Sequence, residues 1–177
     1  VLIDHHRRST EFIENCSLVY HEPYASSASE MVAELLQYMD NRVALTKLEA
    51  EAMYAGIYMD TKNFTFKTGV RTFDAASFLR KHGVDTVAVK KIFQSDLAHY
   101  TSRAHIVGAA EFVQDDIAVA VNTEPVSDAP IVAAQAADEL LGIEGVEASF
   151  VITQEGGTVL ISGRSWGGYN VQVILEK

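Results

Sequence analysis

Val1-Leu2-Ile3-Asp4-His5-His6-Arg7-Arg8 opens the chain with three apolar residues that run straight into a polar cluster. A short unbroken apolar run reads as a strand buried on both faces, the kind found in parallel α/β sheets. Such sheets hold their ligands at the carboxyl ends of the strands, where Asp4-His5-His6 stands. Adjacent residues at that edge point in different directions, so one imidazole can ligate a metal while the other faces a substrate. A neighbouring carboxylate can orient an imidazole and raise its basicity. The plainer alternative is a polar triplet that ends a strand in solvent. The abrupt start, with neither Met nor a capping segment before the strand, leads us to expect a fragment.

Outward from this run, residues 17–20 (SLVY) predict a second short strand, and Ser27 with Glu30 gives the spacing of a capping box for a helix at about 28–40. Thr46 with Glu49 predicts another helix, ending at Asp60-Thr61. A third helix fits 72–82, stopped by Gly83, and a fourth, longer one fits 85–109. Residues 111–122 read as strand–turn–strand or one broken strand, and 130–141 as a helix. Strands are expected at 147–153, 158–163 and 170–175, the first two joined as a hairpin through Glu155-Gly156-Gly157. The fold class is therefore α/β in front and a small α+β part behind, divided into domains 1–107, which includes a linker helix, and 108–177.

The 177 residues are 48% hydrophobic and 21% charged, an ordinary globular balance. The net charge of −10 argues against a surface built to grip long nucleic acid. A small phosphorylated ligand is compatible with it, because bound cations or a local basic cluster can invert the local charge. One cysteine, Cys16, excludes an internal disulfide and fits a reducing, cytoplasmic setting. No apolar run approaches the roughly 18 residues of a membrane span, so direct membrane contact is not expected from this segment.

Asp60 ends a helix with small residues at Ala52, Ala55 and Gly56. A carboxylate at a helix C-terminus is electrostatically unfavourable unless a cation compensates, so Asp60 is a candidate metal ligand; a solvated turn residue is the alternative. Gly163-Arg164-Ser165, with Gly167, Gly168 and Asn170, pairs a guanidinium fork suited to phosphate with backbone N–H groups able to approach an anion. The alternative there is a glycine-rich turn with an incidental Arg. Trp166 can stack on a base or cap the sheet edge, the second being the commoner role for such a residue. His21, His82, His99 and His105 share no ligand spacing and read as structural or surface residues, and Glu30 as a helix cap.

Taken together, Ile-Asp-His-His-Arg at 3–7 and Gly56-Ile57 through Asp60-Thr61 with Phe64 resemble the DHH phosphoesterases. The segments 61–80 (TKNFTFKTGVRTFDAASFLR), 134–141 (AQAADELL), 148–152 (ASFVI) and 162–177 (SGRSWGGYNVQVILEK) are similar to the GdpP (YybT) branch, the cyclic di-AMP phosphodiesterases. This resemblance implies a partial DHH domain followed by an associated domain that closes over the substrate. It implies that His5 and Asp60 bind one manganese ion of a two-Mn²⁺ centre, that Asp4 holds His5, and that His6 faces the scissile phosphate. Arg164, Ser165 and Asn170 would reach the nucleotide, and the product would be linear pApA.

Against the family pattern, a His and two Asp of the first metal motif and a bridging Asp of the second are absent, as is a Gly-Gly-Gly-His motif beyond Lys177. Gly163, Trp166, Gly168 and Tyr169 also depart from the branch. One His and one Asp cannot hold two Mn²⁺, so the expectation is a chain that is inactive by itself and binds manganese weakly. The front sheet should present an open edge or exchange with a second copy, which makes a homodimer compatible. The implied partner is a cyclic dinucleotide, and the cytoplasmic part of a membrane-anchored protein is the implied setting. Alternatives are a nano-RNase or pAp phosphatase acting on short linear substrates, and a non-catalytic nucleotide sensor on the same fold.

Overall fold

The computed structural model describes residues 1–8, 13, 15–39 and 44–176, which form two compact units, Val1–Gln94 and Ser95–Lys177. In the first, β1 (Leu2–Asp4) pairs in parallel with β2 (Val19–His21), and Asp4 lies opposite His21. Four helices follow: α1 (Ala28–Tyr38), α2 (Lys47–Asp60), α3 (Val70–Lys81) and α4 (Thr86–Ile92). Their shared core is Ala33, Ala50, Ile57, Ala75, Leu79, Val84 and Val89. Asp40, the expected last residue of the first helix, lies outside the described residues.

The caps explain where these helices start. Thr46 Oγ1 accepts the Glu49 N–H at 3.3 Å while the Glu49 carboxylate accepts the Thr46 N–H at 2.8 Å, a complete capping box. At α1 only half of the expected box forms. Ser27 Oγ accepts the Glu30 N–H at 3.0 Å, but the buried Glu30 carboxylate accepts from the Ser26 hydroxyl instead.

Helices α1 and α2 cross at a point that admits no side chain from Gly56: an added Cβ would sit 2.3 Å from Ser29 Oγ and 3.2 Å from Ser29 Cβ. Gly56→Ala is therefore expected to destabilise the first unit by about 1–3 kcal/mol, as overpacking does. A urea titration checks this, and a midpoint equal to the parent's would show that Ser29 yields without cost.

Glu34 on α1 and Arg71 on α3 form a two-pronged pair, Nε–Oε1 at 2.6 Å and Nη2–Oε2 at 2.7 Å, with Tyr20 of β2 donating to Glu34 Oε2 at 3.4 Å. The Arg71 hydrogen bonds hold the Glu34 carboxyl below its ordinary value of 4.5. A folded pKa lower than the unfolded one means stability that is complete above the unfolded value and lost as pH falls below it. Glu34→Gln should thus lower stability by about 1 kcal/mol at neutral pH, since Arg71 is half-exposed and screened. The gap to the parent should close between about pH 5 and pH 3 in urea melts.

The second unit has the sheet order β3-β4-β5-β6: β3 (Glu111–Gln114), β4 (Ile117–Val121), β5 (Ala148–Glu155) and β6 (Thr158–Ser165). The pairings are antiparallel, parallel and antiparallel in that order. Helix α6 (Ala129–Leu141) makes the crossover between the parallel strands, and α5 (Leu97–Gly108) packs beside it. Ile106, Ala118, Ala120, Val132, Ala136, Leu140 and Val151 form the centre of this core. Gly156 and Gly157, at φ +55° and +86°, make the expected hairpin turn, whose two left-handed positions L-residues resist.

Three expectations are corrected. The helix expected over 85–109 is two, because Asp96 caps a new one: its carboxylate accepts the His99 N–H at 2.9 Å and diverts the backbone. The division expected after residue 107 falls after Gln94, since α5 packs on α6 and shares the second core rather than serving as a linker of the front part. The strand expected at 170–175 is a short helix, α7 (Val171–Leu175), capped by Asn170 Oδ1 on the Val173 N–H at 3.3 Å. The run Val-Gln-Val-Ile-Leu suits either period, and the turn after β6 decides between them. Ser165 Oγ accepts the Gly167 and Tyr169 N–H groups at 2.9 and 3.2 Å and sends the chain away from the sheet.

Candidate active site

Parallel pairing of β1 with β2 carries His5 and His6 off the carboxyl edge of the first sheet. The His5 ring is 11% exposed, and its Nε2 lies 3.4 Å from Oδ2 of Asp60, the last residue of α2. The end of α2 is fixed independently of that carboxylate. Buried Thr61 donates its hydroxyl to the Ile57 carbonyl at 2.6 Å and accepts the Phe64 N–H at 2.9 Å. Small residues on α2, above all Gly56 against Ser29, let the helix lie close enough for Asp60 to meet His5.

His6 is 76% exposed, and Asp4 holds it by two hydrogen bonds. Asp4 Oδ1 accepts the His6 backbone N–H at 3.1 Å and lies 2.8 Å from His6 Nδ1. The backbone bond first, then the side-chain bond, lowers the Asp4 pKa below the ordinary carboxylate value. Asp4 was expected to steady His5; the hydrogen bonds of the structure assign it to His6. On the partner strand, His21 Nε2 sits 2.6 Å from the His6 carbonyl oxygen and pins the backbone there. The two imidazoles of His5 and His6 lie 4.3 Å apart, tilted by 51°.

Beside the pair opens a cleft of about 940 Å³, lined by His5, His6 and Arg7, by Pro23 and Tyr24, and by Lys67, Thr68 and Gly69. The last five were not singled out by sequence reading. The signals present were a Pro-Tyr step after a strand and a Lys-Thr-Gly just before a helix, both weak as motifs.

Imidazole and carboxylate suit manganese in kind. In number they do not: among the described residues no group of three His, Cys, Asp or Glu gathers to hold an ion. His5 and Asp60 are thus two donors of the kind such an ion takes.

Arg164 and Ser165 end β6 and Asn170 caps α7 just after it, and each has local structure to hold. Arg164 Nε donates to Asp138 Oδ1 and its Nη1 to the Gly163 carbonyl, both at 2.9 Å. Ser165 and Asn170 bind the turn and the start of α7. Trp166 Nε1 donates to the carbonyl of Leu141, the last residue of α6, at 3.1 Å. Among the described residues no helix is long and apolar enough to cross a membrane.

Residues 1–57 match the DHH family, N-terminal domain. The chain is 54% identical over 178 residues to the cyclic-di-AMP phosphodiesterase GdpP of Geobacillus thermodenitrificans, covering 100% of this chain and 27% of that protein. It is 48% identical to the cyclic-di-AMP phosphodiesterase PdeA of Listeria monocytogenes, with the same coverage of 100% and 27%. The chain thus spans about a quarter of the length of these curated relatives. An exopolyphosphatase-related protein from Bacteroides fragilis shares the fold, with a TM-score of 0.79 at 23% identity over 93% of this chain and 50% of that one. The Asp-His-His edge lies within residues 1–57, the part of the chain that matches the N-terminal domain of the DHH family.

Proposed function

We propose that this chain forms part of a manganese-dependent phosphodiesterase that opens cyclic di-AMP to linear pApA. The observation that carries the reading is the approach of His5 to Asp60 at 3.4 Å, beside an exposed His6 and a cleft of nucleotide size. His5 and Asp60 would hold a metal ion together with ligands from outside the described residues. Such an ion, when bound, supplies an activated water and neutralises charge on the phosphate.

The chain's own residues supply the rest. Asp4 accepts at His6 Nδ1, which leaves His6 Nε2 as the ring atom able to exchange a proton in the cleft. Opening the ring to pApA releases a 3′-oxygen, and a proton from His6 would let it depart as a hydroxyl. Arg164, Ser165 and Asn170 are the second unit's candidates for contacting the nucleotide, with Asp138 holding the guanidinium fork in orientation. Two donors are fewer than a two-Mn²⁺ centre needs, so the chain by itself is expected to be inactive and to bind manganese weakly. A cytoplasmic setting goes with this reading.

The test is chromatography of products from the full-length protein, supplied with Mn²⁺ and offered cyclic di-AMP and pApA in parallel. Conversion of cyclic di-AMP to persisting pApA supports the proposal. Rapid cleavage of pApA to AMP with cyclic di-AMP untouched moves the protein to the nano-RNase class. Binding without turnover makes it a sensor.

A further inference from the structure

Two walls of the cleft carry chemistry that the hydrolytic residues do not explain. On one wall stands Tyr24, 92% exposed, between Pro23 and a run that is almost wholly buried: Ala25 at 2%, Ser26 at 1% and Ser27 at 0%. The Ala25 N–H donates to the Glu22 carbonyl at 3.1 Å, and the Tyr24 N–H to the Glu22 carboxylate at 3.4 Å. A rigid frame therefore holds a bare aromatic ring at the lip of the site. Folding gains nothing from a large ring left in water.

On the other wall is Lys67, at the end of a loop whose backbone is strained. Lys62, Asn63, Phe64 and Lys67 all take positive φ, from +46° to +59°. For residues other than glycine that conformation is disfavoured and persists only where surrounding contacts enforce it. The contacts here are the Thr65 and Phe66 N–H groups on the Thr61 carbonyl, at 2.9 and 2.8 Å, and Phe64 packed on Tyr54 and Phe73 at 5.4 and 5.8 Å between ring centroids. The loop is thus braced to deliver a cation to a cleft that already holds Arg7, in a chain of net charge −10.

We propose that Tyr24 is a stacking platform for a nucleobase of the substrate and Lys67 a phosphate-binding cation, so that this cleft selects a nucleotide rather than a bare phosphodiester. The inference rests on the phosphodiesterase reading and adds the groups that recognise base and charge. Stacking on an aromatic ring tolerates any base, and its loss weakens binding by about tenfold or more.

The experiment compares the full-length protein with its Tyr24→Ala, Tyr24→Trp and Lys67→Ala variants on cyclic di-AMP and on its abasic ribose-phosphate counterpart, an ester with no base or other aromatic ring. For Tyr24→Ala the ratio of kcat/KM on cyclic di-AMP to that on the base-free ester should fall about tenfold, through KM, and Tyr24→Trp should restore it. Lys67→Ala should lower kcat/KM on both esters, since both carry phosphate. An unchanged ratio in Tyr24→Ala, or equal losses on both esters, would show a structural tyrosine and overturn the platform. Unchanged kcat/KM in Lys67→Ala would overturn the cation. If the parent protein cleaves the base-free ester but not cyclic di-AMP, the functional reading fails and this inference with it. A parent active on both, with indifferent variants, sinks the inference alone.

Discussion

Asp60→Asn, made in the full-length protein, is expected to cut kcat/KM on cyclic di-AMP by about a thousandfold. A metal that neutralises phosphate charge contributes several kcal/mol to the transition state, and each 1.36 kcal/mol is about a factor of ten. The substitution keeps the shape of the side chain and removes its charge. It should also leave α2 intact, because Thr61 rather than the Asp60 carboxylate ties down the helix end. His5→Ala should fall with it and, like Asp60→Asn, should lower the bound manganese measured by elemental analysis. Activity within tenfold of the parent in both variants would remove the pair from the metal site.

His6→Ala should lower kcat by about 10²–10⁴-fold, the span of a lost general acid or base, while the bound metal stays. That separation of turnover from metal content distinguishes His6 from His5, its immediate neighbour in the chain. Asp4→Asn should cost less, about 10–100-fold, since it orients the ring rather than transferring the proton. The double variant should be no slower than His6→Ala alone, because the two residues act as one unit. Additive losses would mean that Asp4 touches the substrate by its own route.

Legibility along the chain followed the range of the interaction being read. Local signals told well: Thr46 with Glu49 marked the start of α2, and Gly156-Gly157 the hairpin turn, because cap and turn chemistry acts within a few residues. The meeting of His5 with Asp60 was readable only through the resemblance, since no spacing rule links a strand end to a distant helix end. The start of α5 was missed although Asp96 is an ordinary cap residue, because the apolar pattern runs on through it. The 170–175 segment fits two periods, and a serine hydroxyl settled it. The assignment of Asp4 to His6 depends on a backbone turn after β1 that residue identity alone does not specify. Tyr24 and Lys67 escaped notice because a cleft wall is a property of the fold and not of a motif.

The parallel register of β4 on β5 also bears on how the second unit assembles. The β5–β6 hairpin closes through a two-glycine turn and can form within about 1–10 μs on its own. Strand β4 has such a shortcut to β3 but none to β5. It meets β5 only after residues 122–147, α6 included, have wound back across the sheet, so loop-closure entropy is spent before that pairing repays it. The pace of the second unit's refolding is thus set by that crossover. Until it closes, β5 waits with one edge unpaired, and in that interval a nascent chain is most open to pairing with a neighbour.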